Sequence, residues 1–425
     1  MTSFWTEKDR LNMSKNPAII SMPRYVLFLG VIILTVTRVS ISESIFVTNV
    51  DELMNAVSKA NSTGGNTTIL LRDGIYTLSD TLYINTPNVS IAGDSGDPTK
   101  VIIQGDAMSS GAKVGNVIRV AASSFHLSDI TLQKSGWHLL QIAGESNADA
   151  PVIKNCILRD AYQQILKVSQ DPANPNVTSD DGLVENCIFE YSAGVGPQYY
   201  VGGIDAHGSK NWVVRNNTFR SIISPSGSVA EFAIHFWDPP ASNNIVEKNL
   251  IINCDRGIGF GMDNRGNTSG IIRNNMIYHS SNAGSFGDTG IALTESPDTQ
   301  VYNNTIYLEH TFPWAIEYRY SSTKNVLIAN NLTNRPIESR DGGTAMIKAN
   351  ITNANASWFS DVVYGNLHLS HSVVSVVDNG IALPGLTDDF DGQQRPQGAG
   401  VDIGADELAQ GTALLAPQNL RVVKQ

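Results

Sequence analysis

The sequence predicts an all-β chain wound as a solenoid of parallel strands, and three observations carry that prediction. A short segment bearing an asparagine recurs through the middle of the chain at steps of 26 to 32 residues: "VIKNCI", "LVENCIF", "VVRNNTF", "IVEKNLI", "IIRNNMI", "VYNNTIY" and "IANNLT". A second β segment precedes the later asparagines by 13 to 17 residues: "GGIDAHG", "FAIHFWD", "RGIGFGM", "TGIALTE" and "WAIEYRY". Long amphipathic helical patterns are nearly missing, while 36 glycines and many Asn-rich clusters supply turns. A period of this length, built from short β segments without helix, is a solenoid signature.

The elements follow in chain order. Residues 1–42 read as a signal peptide or N-terminal anchor, because "YVLFLGVIILTV" is a run of twelve apolar residues between Arg24 and Arg38. That run is short for a membrane span and suits a signal-peptide core. The remainder is therefore expected to be secreted, periplasmic or at the cell surface. "NVDELMNAVSKA" sets Val50, Leu53, Met54 and Val57 on one helical face, with Asn49 and Glu52 spaced as a capping box. Such a helix would cover the open end of the coil. The β domain is expected over 43–408, closed by "DDFDGQQRPQGAGVDIGADEL", with 409–425 as a short tail.

Within the repeats the asparagines align on Asn155, Asn186, Asn217, Asn249, Asn275, Asn304 and Asn331, one step after Asp129. Their side chains suit a structural ladder, each bonding its own backbone or the next turn. Cys156, Cys187 and Cys254 are too few for a disulfide framework, and the first two are expected as stacked buried thiols.

These repeats resemble right-handed parallel β-helix proteins of the pectate-lyase-like superfamily, whose turns carry such an Asn ladder. The resemblance spans roughly residues 44 to 407 and implies the fold. It leaves activity open, because lyases, hydrolases, epimerases and non-enzymatic surface proteins share that scaffold.

Strand parity then suggests a site. If Ile204, Ile234, Ile258, Ile291 and Ile316 point inward, one outward column reads Lys167, Asp205, His235, Gly259, Ala292, Glu317. The next reads His207, Trp237, Gly261, Thr294, Arg319. Lys167, Asp205 and His235 should lie about 5 Å apart on successive rungs. Gly259 and Gly261 should leave a shallow trough, with Trp237 as a wall for a sugar face. Inserts bring Tyr199, Tyr200, Asp263 and Arg265 to its edge, and Glu317 and Arg319 lie farther along. Glu231, Asp255 and Asp288 form a third column, where a Ca2+ ion or Arg256 would relieve repulsion.

With 29 Lys+Arg against 40 Asp+Glu the net charge is −11, which argues against nucleic acid. Phosphate-loop, CxxC and HExxH motifs are missing. The expected partner is a polysaccharide, uronate-containing, bound by a monomer. The leading expectation is polysaccharide lyase chemistry by β-elimination, with His235 or Lys167 as base, His207 as proton donor and Arg256, Lys167 or calcium facing the substrate carboxylate. Glycoside hydrolysis by Asp205 and Glu231 is the alternative on the same scaffold, C5 epimerisation is a close variant of the elimination, and non-catalytic glycan binding is a third reading.

Overall fold

The computed structural model describes residues 43–409, so the expected leader and nearly all of the tail lie outside the described residues. Residues 43–409 coil into three parallel sheets of 12, 10 and 10 strands, each strand pairing with those one turn before and one turn after it. Apolar side chains at alternate positions fill one continuous core between the three sheets, including Ile204, Phe236, Ile258, Phe260, Ile291 and Ile316. The strands are short, commonly three to six residues, because each turn of the coil must bend at three corners.

The helix Val50–Thr63 forms where expected and buries Leu53, Ala56, Val57 and Ala60 over the first coil. Asn49 Oδ1 accepts from Glu52 N at 3.0 Å, and Gly64 ends the helix at φ 88°. Glu52 reaches one residue farther back than a standard capping box, accepting from Thr48 N at 2.7 Å.

The asparagine ladder exists, but its first two members differ from the sequence alignment. Asn217, Asn249, Asn275 and Asn304 each donate from Nδ2 to the Oδ1 of the next rung at 2.9 to 3.0 Å, and Asn331 continues the series to Asn350. Asn155 and Asn186 instead hold the left-handed position one residue earlier, with φ 51° and 56°, as Asn216 does at 56°. The ladder position in those two turns belongs to Cys156 and Cys187. Cys156 N donates to Cys187 Sγ at 3.4 Å, and Cys187 N donates to Asn217 Oδ1 at 2.8 Å. Consecutive Asn-Asn pairs in the later repeats hide this one-residue shift. All three cysteines are free and buried.

Candidate functional site

The strands Leu140–Ala143, Gln164–Ser169, Gly202–His207, Ile234–Trp237 and Arg256–Phe260 are neighbours in one ten-stranded sheet. Its register pairs Gln141 with Lys167, Lys167 with Asp205, Asp205 with His235, and His235 with Gly259. His207 pairs with Trp237 in the adjacent column. The two columns therefore stack as parity predicts.

Lys167, Asp205 and His207 form one contact group. Lys167 Nζ donates to Asp205 Oδ2 at 2.5 Å and lies 2.5 Å from His207 Nε2. This contact sets the amine directly against a ring nitrogen of the imidazole. His207 Nδ1 meets Asp238 Oδ2 at 2.7 Å, and its Nε2 lies 3.6 Å from Asp205 Oδ2. Burial pulls the His207 pKa down, but hydrogen bonds to Asp205 and Asp238 outweigh it and leave it raised. Asp205 is opposite in sense. Burial works to raise its pKa, yet Lys167 and His207 hold it well below the usual carboxylate range. Its second oxygen accepts from Trp237 Nε1 at 2.6 Å.

His235 is not a surface base. It is only 2% exposed, enclosed by Phe232 at 4.7 Å and stacked on Trp237 at 5.4 Å between ring centroids. Its Nε2 donates to Gly261 O at 3.1 Å, and burial pushes its pKa down to about 4. The reason is the side chain of Phe232, which folds over the rung that parity leaves open.

The same ring removes the expected trough. A Cβ at Gly259 would lie 2.8 Å from Phe232, so this glycine makes room for the phenyl ring and not for a sugar. Gly261 has φ 78°, and a Cβ there would fall 1.7 Å from Thr294 O, so backbone geometry explains it. Trp237 is likewise no open platform. His235 covers one side of it, His207 approaches at 4.1 Å, and the Arg265 guanidinium sits 4.0 Å from the indole centroid. Arg265 Nε also lies 3.5 Å from Asp238 Oδ1, which places Arg265 at the edge of the cluster as expected.

The remaining expected residues divide. Tyr199 and Tyr200 are exposed by 58% and 37% and available to a ligand. Arg256 lies beside Phe232, 5.2 Å from the ring, and is paired with Asp288 at 2.8 Å. Asp263 bonds Tyr320, Glu317 bonds Arg340, and Arg319 bonds Asp341. Those three acids and bases form separate pairs beyond the Phe232 plug and do not join the cluster. Asp255 is a buried clasp, its Oδ2 accepting from Ser224 N and Ala230 N at 2.9 Å. Among the described residues, Glu231 and Asp255 belong to no group of three or more His, Cys or acidic ligand atoms close enough to share an ion. Glu231 has a raised pKa, chiefly through burial, with Arg256 opposing.

Three residues near the cluster escape the parity argument. Asp238 follows the aligned strand at φ 68°, where alternation no longer fixes direction. His138 stands at a corner, its Nδ1 donating to Gln164 O at 2.9 Å, and burial pushes its pKa down to about 4. Gln164 is fully buried with neither amide atom hydrogen-bonded. A Cβ at Gly202 would lie 3.1 Å from both Gln164 Cγ and Glu231 Cβ, so the missing side chain lets these two flank it.

A family model described as "Right handed beta helix region" matches residues 116–306. No curated protein matches the chain in sequence. In fold the chain is similar to the crystal structure of pectate lyase Pel9A, at 12% identity over 87% of this chain and 97% of that one, with a TM-score of 0.51. An alginate lyase from Paenibacillus sp. str. FPU-7 matches at 12% identity over 74% of this chain and 99% of that one, with a TM-score of 0.42. The repeats, the three parallel sheets and these matches together identify the chain as a right-handed parallel β-helix protein.

Proposed function

We propose that this protein is a carbohydrate-active β-helix enzyme, exported from the cytoplasm and acting as a monomer, that cleaves a uronate-containing polysaccharide by β-elimination. The observation that carries this reading is the grouping of Lys167, His207, Asp205 and Asp238, with Lys167 Nζ against His207 Nε2. Asp238 and Asp205 favour the proton on His207, and Lys167 Nζ beside it is assigned the role of base. Turned toward substrate, Nζ takes the proton α to the carboxylate. The electron pair of that C–H bond becomes the new C=C bond, and the C–O bond to the β oxygen breaks. His207 Nε2–H is placed to protonate the departing oxygen. Arg256, beside Phe232 and paired with Asp288, is the residue assigned to the uronate carboxylate, and the shared scaffold with a pectate lyase accords with the substrate class.

Hydrolysis by Asp205 and Glu231 has weaker support. Both Asp205 oxygens are already hydrogen-bonded, and its pKa is depressed, so it would neither attack nor donate readily. The test is incubation with polygalacturonate, alginate and neutral glucans, followed by ultraviolet absorbance and reducing-end assays. An absorbing unsaturated product, lost in Lys167→Ala, supports the proposal. New reducing ends without absorbance would replace it with hydrolysis, and retention of polymer without turnover would leave a glycan-binding protein.

A further inference from the structure

The closing segment of the coil contains a second cluster, remote in sequence from the Lys167 group. His368 lies on the strand Asn366–Leu369, paired antiparallel to Phe359–Asp361, and Asp391 and Asp406 come from the segment that follows. One ligand atom from each of these three residues lies within 4.8 Å of the other two. His368 Nδ1 donates to Asn366 Oδ1 at 2.5 Å, which turns Nε2 toward the acids. That Nε2 faces Asp391 Oδ2 at 2.8 Å. An imidazole N–H donated to the carboxylate accounts for this contact, and a cation binding here would take that proton's place.

Two further observations point to a bound cation. Asp391 Oδ1 is enclosed and has no hydrogen-bond partner. The nearby guanidinium, Arg395, is committed elsewhere, to Glu407 Oε2 at 2.7 Å and to the carbonyls of Asp402 and Gly404 at 3.2 and 2.8 Å. Asp406 uses one oxygen to accept from Leu369 N at 2.7 Å, which fixes the carboxylate while its other oxygen remains for a ligand.

We propose that His368, Asp391 and Asp406 form a binding site for a divalent transition cation of the zinc class, which clips the closing segment onto the strand Asn366–Leu369. One imidazole nitrogen with two carboxylate oxygens is a donor set for Zn2+, whereas Ca2+ takes six to eight oxygens. Tetrahedral bonds of about 2.1 Å set ligand atoms about 3.4 Å apart, so a pair 4.8 Å apart would close by about 1.4 Å and the His368–Asp391 contact would open slightly. The amide of Asn366 acts behind the imidazole, orienting it as second partners of metal-bound histidines do.

The experiment uses the full chain, stripped with chelator and dialysed. Calorimetric titration with Zn2+ alone should show one equivalent bound, with Ca2+ giving no comparable heat. Saturating Zn2+ should raise Tm by roughly 5 °C, reversibly with chelator. His368→Ala and the near-isosteric Asp391→Asn should each weaken Zn2+ at least tenfold. The wild-type titration needs no variant to fold. Absence of stoichiometric Zn2+ binding, or binding unchanged in a folded Asp391→Asn protein, overturns the proposal. Because Lys167 is not involved, polysaccharide turnover can fail while this site stands.

Discussion

Lys167 Nζ and His207 Nε2 lie 2.5 Å apart, with Asp205 beneath the first and Asp238 behind the second. Burial and Lys167 work against protonation of His207, while its hydrogen bonds to Asp205 and Asp238 favour it and prevail. Replacing Lys167 by Met should lower kcat/KM on the cleaved polymer by about 10^2- to 10^4-fold, the usual contribution of a positioned base. Asp238→Asn should also lower kcat, because losing that carboxylate favours Lys167 over His207 as the proton's holder. Steady-state kinetics on the two variants, with KM compared, checks both.

Asp205 should be the stability keystone of the site. Replacing it by Ala leaves Lys167 Nζ and the Trp237 N–H without their acceptor in a nearly closed space. Breaking a buried pair in this way costs about 3–5 kcal/mol. Urea unfolding should show the loss at neutral pH. The sign with pH follows from its lowered pKa: the contribution is present above the ordinary carboxylate value near 3.8 and is lost as pH falls through the folded one.

Mild acid should destabilise the coil through histidines kept neutral. His235 and His279 are 2% and 1% exposed, and burial brings both from 6.5 to about 4. Between those limits the unfolded chain binds protons that the folded chain refuses, so stability falls as pH drops from 6.5 toward 4. Each ring contributes roughly 3 kcal/mol of that loss. His207, with its raised pKa, works in the opposite sense and stabilises the fold below its unfolded value. Melting curves at pH 7, 6 and 5 should show the fall, and His279→Gln should flatten it.

Asn275→Ala should break the ladder on both sides. Asn275 Oδ1 accepts from Asn249 N and Nδ2, and its Nδ2 donates to Val246 O and Asn304 Oδ1. Stranding a buried backbone N–H and an amide costs about 2–4 kcal/mol. Thermal unfolding measures it, with the exposed Asn176→Ala as a contrast.

The coil and the site's register were legible because both follow from period. Inward isoleucines recur, so Lys167, Asp205 and His235 fall on successive rungs and the structure stacks them so. What alternation cannot convey is how a long side chain leaves its strand. Phe232 sits just before an aligned strand, at a corner, and bends over His235 and Gly259. That one ring turns an expected base and an expected trough into interior. Asp238 and His138 lie beyond the alternating stretch, so their approach to His207 and Lys167 depends on corner geometry. The Asn155 and Asn186 shift has a similar origin, since an Asn-Asn pair offers two alignments and an Asn-Cys pair only one.

The phenyl ring of Phe232 also gives the solenoid's outer face a direction. On the proposed reading, a polymer lying against Lys167 would run past Gln141 and Arg119, which occupy the next two rungs of the column, with Phe232 at its other end. Polymer would then enter from one side and stop at an aromatic wall, an arrangement that favours trimming near a terminus over cutting at random along the strand.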